Sequence, residues 1–161
     1  PNTVANGIKA ISKLEPYFTT IHLSGGDEMQ KISSCFKINT KILGVSILTS
    51  LDSKQTKKYY NNNVEEIVSN FAKNALINKL DGIVCSPQEI AIVKKITQNK
   101  LIIVTPGIRP VNYEDSKDDQ KRVMSPKEAI NAGANYLVMG RPITKSTNPL
   151  KSLQSINASL E

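Results

Sequence analysis

Two arginines stand where the chain could bind a phosphate group. Arg109 and Arg141 each follow a short apolar run, with Gly107 just before one and Gly140 just before the other. Glycine lets backbone N–H groups approach an anion, and a guanidinium binds two oxygens of that anion with a planar pair of donors. These two positions therefore predict a phosphate site. The alternative is a pair of turn glycines followed by surface arginines.

The scarcity of arginine adds weight to this interpretation. The chain carries 21 basic residues, and all but three of them are lysines. An arginine in a sequence biased toward lysine is a candidate for work that needs a planar, forked donor. The third arginine, Arg122, follows no apolar run, and we interpret it as a surface or helix-start charge.

The other residues with chemical potential are few. Thr49 and Ser50 end a further apolar run, and we expect the single histidine, His22, to be a hydrogen-bonded strand residue of the core rather than a base. Cys35 and Cys85 have no metal-ligand spacing, so we expect two reduced core thiols and no metal site. The sequence also contains no Ser-His-Asp set, HExxH, GxGxxG or P-loop. Triad hydrolysis, zinc protease chemistry and Rossmann or P-loop nucleotide binding therefore have no motif to support them.

The elements that position these residues follow a βα pattern. Five apolar runs are nearly continuous in Ile, Val and Leu, which is typical of strands buried on both faces of a parallel sheet. They span 19–24, 41–49, 81–86, 100–106 and 135–140. Helical patterns lie between and after them, and their start signals are Asn63, Ser86-Pro87, Ser125-Pro126 and Asn148-Pro149.

An alternating chain of this kind has two possible closures. One is an open, doubly wound sheet of five strands, and the other is part of an eight-stranded (β/α)8 barrel. The chain starts at Pro1 inside a helix start, and 161 residues is about five eighths of the ~250 residues typical of such a barrel. We therefore expect residues 1–161 to be one domain covering the last five βα units of a TIM barrel, with three strands preceding them.

A polar segment separates Arg109 from the helix start at Ser125. It is rich in charge and lacks an apolar stripe. Long segments of this kind inside a compact domain are usually functional or disordered. We expect 110–124 to be a mobile phosphate lid, with a plain solvated connection as the alternative.

Composition limits the class of partner. The net charge of +7 invites a nucleic-acid partner, but the lysines are spread along the chain and aromatic residues make up only 5%. No apolar run approaches the roughly 20 residues that span a bilayer, and no signal peptide opens the chain. We expect a soluble, cytoplasmic protein that binds neither nucleic acid nor membrane.

The strand-end motifs together resemble the bacterial orotidine 5'-phosphate decarboxylases. The resemblance runs along the whole chain, and its most specific part is the pair TPGIRP and GRPIT with the intervening DQ. The segments that carry it are PNTVANGI at 1–8, HLSGG at 22–26, GVSILTSLD at 44–52, DGIVCSPQE at 81–89, TPGIRP at 105–110, DQKR at 119–122 and ANYLVMGRPIT at 134–144.

This resemblance implies a homodimeric TIM barrel that converts orotidine 5'-phosphate to UMP and CO2 in de novo pyrimidine biosynthesis, without cofactor or metal. It also implies substrate-binding roles for particular residues of this chain. These are Thr3, Thr49, Ser50, Arg109, Gln120, Gly140 and Arg141.

In that family the catalytic Asp-x-Lys-x-x-Asp motif immediately precedes PNT, so the resemblance places it N-terminal to Pro1, with Thr3 adjacent to it. We expect this chain to contribute substrate binding and no catalytic residue.

Two other interpretations remain open at this stage. A related barrel could act on a different sugar phosphate, as hexulose-phosphate synthases and keto-gulonate-phosphate decarboxylases do. From another class, the chain could be a basic nucleic-acid-binding module with an open sheet, which a steep salt dependence of binding would indicate.

Overall fold

A computed structural model describes residues 1–110, 113 and 122–160. Its centre is a sheet of five parallel strands, which pair in the order in which they occur along the chain. The strands are β1 (Phe18–His22), β2 (Lys41–Val45), β3 (Gly82–Val84), β4 (Ile102–Thr105) and β5 (Tyr136–Leu137).

Helices connect and cover these strands. Before and within the first three units lie α1 (Asn2–Ser12), α2 (Asp27–Cys35), α3 (Ser53–Tyr60) and α4 (Val64–Ile77). The later helices are α5 (Ile90–Thr97), α6 (Pro126–Ala132), α7 (Arg141–Thr144) and α8 (Pro149–Ala158). Short 3-10 turns at Leu23–Gly25 and Pro87–Glu89 follow β1 and β3.

The strand order distinguishes between the two closures. A doubly wound sheet reverses its strand order at a switch point, whereas a barrel adds each strand beside the one before it. This sheet runs from β1 to β5 without reversal. The rings of Phe18 and Tyr136, from the first and last strands, pack edge to face with centroids 5.1 Å apart. The sheet is therefore strongly curled, as in a barrel.

The core is built from the strand residues and the inward faces of the helices. Ile42, Ile83 and Ile103 come from three successive strands and are almost completely buried. Val68 of α4 and Val93 of α5 are also inaccessible to solvent. Burial of each side chain of this size stabilises the folded state by about 1.5–3 kcal/mol relative to leaving it exposed. This buried layer therefore holds the strands, and the loops at their carboxyl ends, in place.

The helix-start predictions are confirmed. The Asn63 side chain accepts a hydrogen bond from the Glu66 N–H at 2.9 Å, and Asn148 accepts one from the Lys151 N–H at 3.0 Å. Ser86 and Ser125 both form capping boxes with the glutamate three residues later.

The sequence interpretation missed two helices, α3 and the short α7. The stretch SKQTKKYY of α3 is too polar to show an apolar stripe, and only Thr56 of it is buried. Asp52 and Gln55 form a capping box at its start, and this pair was the available signal.

Two expectations about single residues are wrong, and a third is confirmed. His22 is exposed at the end of β1 and is not a core residue. Cys35, the last residue of α2, is also exposed. Cys85 is buried as expected, and this burial, with the nearby Glu89 charge, raises the pKa of its thiol far above the usual value.

The predicted lid lies mostly outside the described residues. Of 110–124 the structure describes Pro110, Tyr113 and 122–124, so the lid and Gln120 stay predictions. Over the described part of the chain, no helix is both long and apolar enough to cross a membrane.

The buried strand layer gives a stability prediction. We expect Ile83→Ala to lower the free energy of unfolding by about 2–5 kcal/mol, because it removes apolar contacts and leaves a cavity under the central strand. The measurement is urea unfolding. Ile77→Ala is the control, because that side chain is 62% exposed, and an equal loss in both variants would contradict the assigned core.

Candidate functional site

The loops that follow β4 and β5 lie side by side. Thr105 pairs with Leu137 in the parallel register, and the Val138 N–H donates to the Thr105 carbonyl at 2.9 Å. Parallel strands all end at the same edge of a sheet, so the two predicted arginine loops leave it as neighbours. The sheet therefore brings together the two segments that the sequence singled out.

The loop after β4 turns sharply at Gly107. The φ of this residue is +75°, in the left-handed region that glycine adopts readily. The following residues pair with the chain that returns toward α6, because Arg109 N–H donates to the Met124 carbonyl at 3.0 Å and Met124 N–H to Gly107 at 3.3 Å. Both ends of the segment 110–123 are thus joined by backbone hydrogen bonds.

The Arg109 side chain is half-buried beside this loop. Its Nη1 donates to the Ile108 carbonyl at 2.9 Å, and its guanidinium carbon lies 5.5 Å from the centroid of the Tyr113 ring. A cation over an aromatic face is held in place without losing its charge. Arg109 therefore has a defined position at the start of the predicted lid.

Gly140 precedes Arg141 in an open part of the surface. It is exposed, its φ is −105°, and a Cβ built on it would meet no atom within 4 Å. Neither a left-handed φ nor packing accounts for glycine here. The absence of a side chain keeps space open beside the first residue of α7, where Arg141 is half-buried.

One cavity lies beside both arginine loops. Its volume is about 500 Å³, and Pro110, which follows Arg109, and Pro142, which follows Arg141, both line it. Tyr113, the start of α6 and one face of α8 complete its wall. The two arginines border this cavity through their neighbours and are not among its lining residues.

Thr49 and Ser50 form the middle of a tight turn after β2. The Leu51 N–H donates to the Leu48 carbonyl at 3.0 Å and closes the turn. Thr49 is 8% exposed and Ser50 is half-buried. The turn lies at the same sheet edge as the arginine loops.

Thr3 lies in the first turn of α1 and is exposed. Because α1 runs antiparallel to the strands, its first turn belongs to the edge where the strands end. Of the predicted site residues, the structure thus places all except Gln120 at this edge.

The sequence interpretation missed an ion pair at the same edge. Arg122, which we expected on the surface, has a side chain only 13% exposed, and its Nη1 pairs with the Glu89 carboxylate, whose side chain is 6% exposed. Its Nη2 donates to the Leu48 carbonyl at 3.0 Å. The rarity of arginine was the signal for this residue, and it applied to Arg122 as much as to the other two.

Burial dominates the electrostatics of this pair. It raises the pKa of Glu89, while the Arg122 charge and the Ser86 N–H, which donates to Oε2 at 3.0 Å, act in the opposite direction. The described residues contain no cluster of three or more His, Cys, Asp or Glu side chains able to hold a metal ion.

Comparison with known proteins identifies the family. Residues 1–156 match the model of the orotidine 5'-phosphate decarboxylase / HUMPS family. Orotidine 5'-phosphate decarboxylase of Coxiella burnetii is 43% identical over 100% of this chain and 70% of its own length. The chain belongs to the orotidine 5'-phosphate decarboxylase / HUMPS family.

Further members agree. The decarboxylase of Gluconobacter oxydans is 39% identical over 97% of the chain and 69% of its own length. The crystal structure of the Lactobacillus acidophilus decarboxylase superposes with a TM-score of 0.81 at 32% identity, over 100% of this chain and 70% of that one. The chain thus spans about 70% of the length of these relatives.

Family membership settles two of the predictions. The fold class is a TIM barrel, of which this chain provides five parallel strands, and the prediction that the chain belongs to a family of carboxy-lyases is confirmed. The alternative of an open, doubly wound sheet is wrong.

The buried ion pair gives a pH-dependent prediction. Arg122→Met leaves a buried carboxylate without its cation, and we expect a loss of about 3–5 kcal/mol of unfolding free energy at neutral pH. Without Arg122 the folded-state pKa of Glu89 rises further. A raised folded pKa makes stability greatest below the unfolded-state value and lowers it as pH rises through the folded value.

The loss should therefore shrink as the pH falls and Glu89 takes up a proton. The measurement is urea unfolding of the unaltered protein and the variant at neutral and acidic pH. Lys37→Met is the control, because its partner Asp81 is more exposed. A loss that stays equal at both pH values would contradict the assignment of the effect to the Glu89 charge.

Proposed function

We propose that the protein carrying this chain decarboxylates orotidine 5'-phosphate to UMP, as a step of de novo pyrimidine biosynthesis. The observation that carries the proposal is the 43% identity, over the whole chain, to a relative that bears the name of this activity. The side-by-side position of the loops that carry Arg109 and Arg141, at the edge where the strands end, agrees with it.

In this proposal the two arginine loops bind the phosphate group of the substrate. The guanidinium groups of Arg109 and Arg141 supply charge and forked donors, and the open space at Gly140 lets a phosphate oxygen approach the backbone. Gln120 completes the phosphate site. Phosphate binding by the last loops of the barrel agrees with the usual placement in this fold.

Thr49 and Ser50 bind the pyrimidine end in this proposal. A hydroxyl can donate to a carbonyl oxygen and accept from a ring N–H, so it can bind both kinds of polar group on the edge of a uracil ring. Thr49 is almost buried, which makes an oriented hydrogen bond to a ring more selective than one in open water. Thr3, in the first turn of α1, also binds the substrate in this proposal. It lies beside the segment that the family resemblance identifies as catalytic.

Loss of CO2 leaves an electron pair on C6 of the pyrimidine, and this carbon must then receive a proton. Such a centre needs a cation and proton donor within hydrogen-bond reach. The strand ends of this chain offer hydroxyls, glycines and the arginines described above. We therefore assign proton transfer to the lysine of the Asp-x-Lys-x-x-Asp motif that the family resemblance places before Pro1, in a homodimeric, cytoplasmic enzyme that uses no cofactor or metal.

A second candidate is a related reaction on another sugar phosphate. The family description joins the decarboxylases with a second group, HUMPS, so the family match alone does not separate the two. The phosphate site would be the same and the residues around Thr49 would differ in role. The high identity to relatives named as orotidine 5'-phosphate decarboxylases favours the first candidate.

The direct test uses two preparations. One is the 161-residue chain alone, and the other, called the joined protein below, has the Coxiella burnetii segment that precedes the match to Pro1 fused before this chain. We expect UMP formation from orotidine 5'-phosphate by the joined protein and none by the chain alone, because the proton donor comes from the added segment. Turnover of a hexulose phosphate instead would contradict the proposal, and UMP formation by the chain alone would show that the catalytic groups are misplaced.

A second test addresses the phosphate site. In the joined protein we expect Arg141→Ala to lower kcat/KM. The corresponding loss of transition-state stabilisation should be several kcal/mol, on the scale of a desolvated charge pair. The effect should vanish for a substrate that lacks the phosphate group, since the substitution then removes no contact to a phosphate oxygen. Lys151→Ala, on the exposed side of α8, is the control. An equal loss on both substrates would make Arg141 structural.

A further inference from the structure

The Leu48 carbonyl is held by two hydrogen bonds at once. The Leu51 N–H closes the turn onto it at 3.0 Å, and Arg122 Nη2 donates to it at 3.0 Å from a distant part of the chain. The two residues between these anchor points are Thr49 and Ser50. The guanidinium therefore contacts the backbone that carries the proposed pyrimidine-binding hydroxyls.

The guanidinium is itself fixed by its other partner. Glu89 ends the 3-10 turn after β3, where it pairs with Arg122 through Oε1 and accepts the Ser86 N–H through Oε2 at 3.0 Å. Both carboxylate oxygens are engaged, and the residue is 5% exposed. Arg122 thus transmits the position of the β3 loop to the turn after β2.

Side-chain packing holds the first residue of this turn, Leu48, only weakly. The Leu48 side chain is 50% exposed, although Ile47 just before it is buried. A buried ion pair is also a poor source of net stability, because apolar residues of similar volume often replace it without loss. The arrangement thus fits a role in positioning better than a role in stabilising the fold.

We propose that Arg122 is a positioning residue that, held by Glu89, fixes the Leu48–Leu51 turn and so orients Thr49 and Ser50 toward the substrate. This inference rests on the proposed function for the role of Thr49. The fixing of the turn itself does not depend on that function and can be measured separately.

The test uses a paired variant of the joined protein. Glu89→Gln with Arg122→Met removes both charges, and the amide oxygen of the introduced side chain can still accept the Ser86 N–H, so no buried charge is left unpaired. We expect unfolding free energy close to that of the unaltered protein, but faster amide exchange at Leu51 and a fall in kcat/KM of about 100-fold, the scale of a misplacement by ~1 Å. Lys37→Met, at the opposite end of the sheet, is the control and should change neither quantity.

A double-mutant cycle with Thr49→Ala tests whether the effect passes through the turn. We expect Thr49→Ala to cost much less in the paired variant than in the unaltered protein, because the hydroxyl is already out of place. If the fold-losses in kcat/KM of the two changes simply multiply, their effects are independent and the proposal is overturned. An unchanged amide exchange rate at Leu51 would also overturn it.

Two further outcomes are informative. If the paired variant does not fold, Arg122→Lys provides the same test, because a single ammonium retains charge toward Glu89 but does not form the same fork to Leu48. If the unaltered joined protein does not decarboxylate orotidine 5'-phosphate, the proposed function fails, while exchange at Leu51 still decides whether Arg122 fixes the turn.

Discussion

The parallel hydrogen-bonded ladder is the constraint on which the rest of the molecule depends. Parallel neighbours cannot be joined by a tight hairpin, so each strand must return through a helix, and every strand then ends at the same edge. Ile, Val and Leu supply most of the buried side chains of the strands. The polar residues of five successive loops are therefore collected at one edge, far apart in sequence and close in space.

At that edge the chain uses its three arginines in two different ways. Arg109 and Arg141 lie in loops that border an open cavity, whereas Arg122 pairs with Glu89 and donates to a backbone carbonyl inside the protein. The numerous lysines are spread over the surface and give the molecule its positive charge. Forked, planar donors are placed where geometry matters, and compact ammonium groups where only solvation does.

Much of this could be predicted from the sequence, for identifiable reasons. Capping residues act locally, so Asn63, Ser86, Ser125 and Asn148 predicted helix starts correctly. Strand ends in a βα chain share one edge by topology, which is why the loops of Arg109 and Arg141 were predicted to meet.

The failures concern contacts that sequence spacing does not encode. The partners of Arg122 are 33 and 74 residues away, and no local pattern connects them. His22 is expected in the core because it lies within the apolar run 19–24, but it is the last residue of β1, where the strand already reaches solvent. The barrel closure, by contrast, is predicted from the sequence, and the strand order confirms it.

The shortness of β5 has a consequence for ligand binding. It forms two register pairs with β4, whereas β1 and β2 share five, and Tyr136 and Val138 are about half exposed. Local opening costs least where the ladder is short and the burial incomplete. Arg141 follows β5 closely in the chain, so under the proposed function the binding of an anion by Arg141 would be thermodynamically linked to the docking of this last strand. Under the proposed function, the phosphate of the substrate would then stabilise the pairing of β4 with β5, which has the fewest register pairs in the sheet.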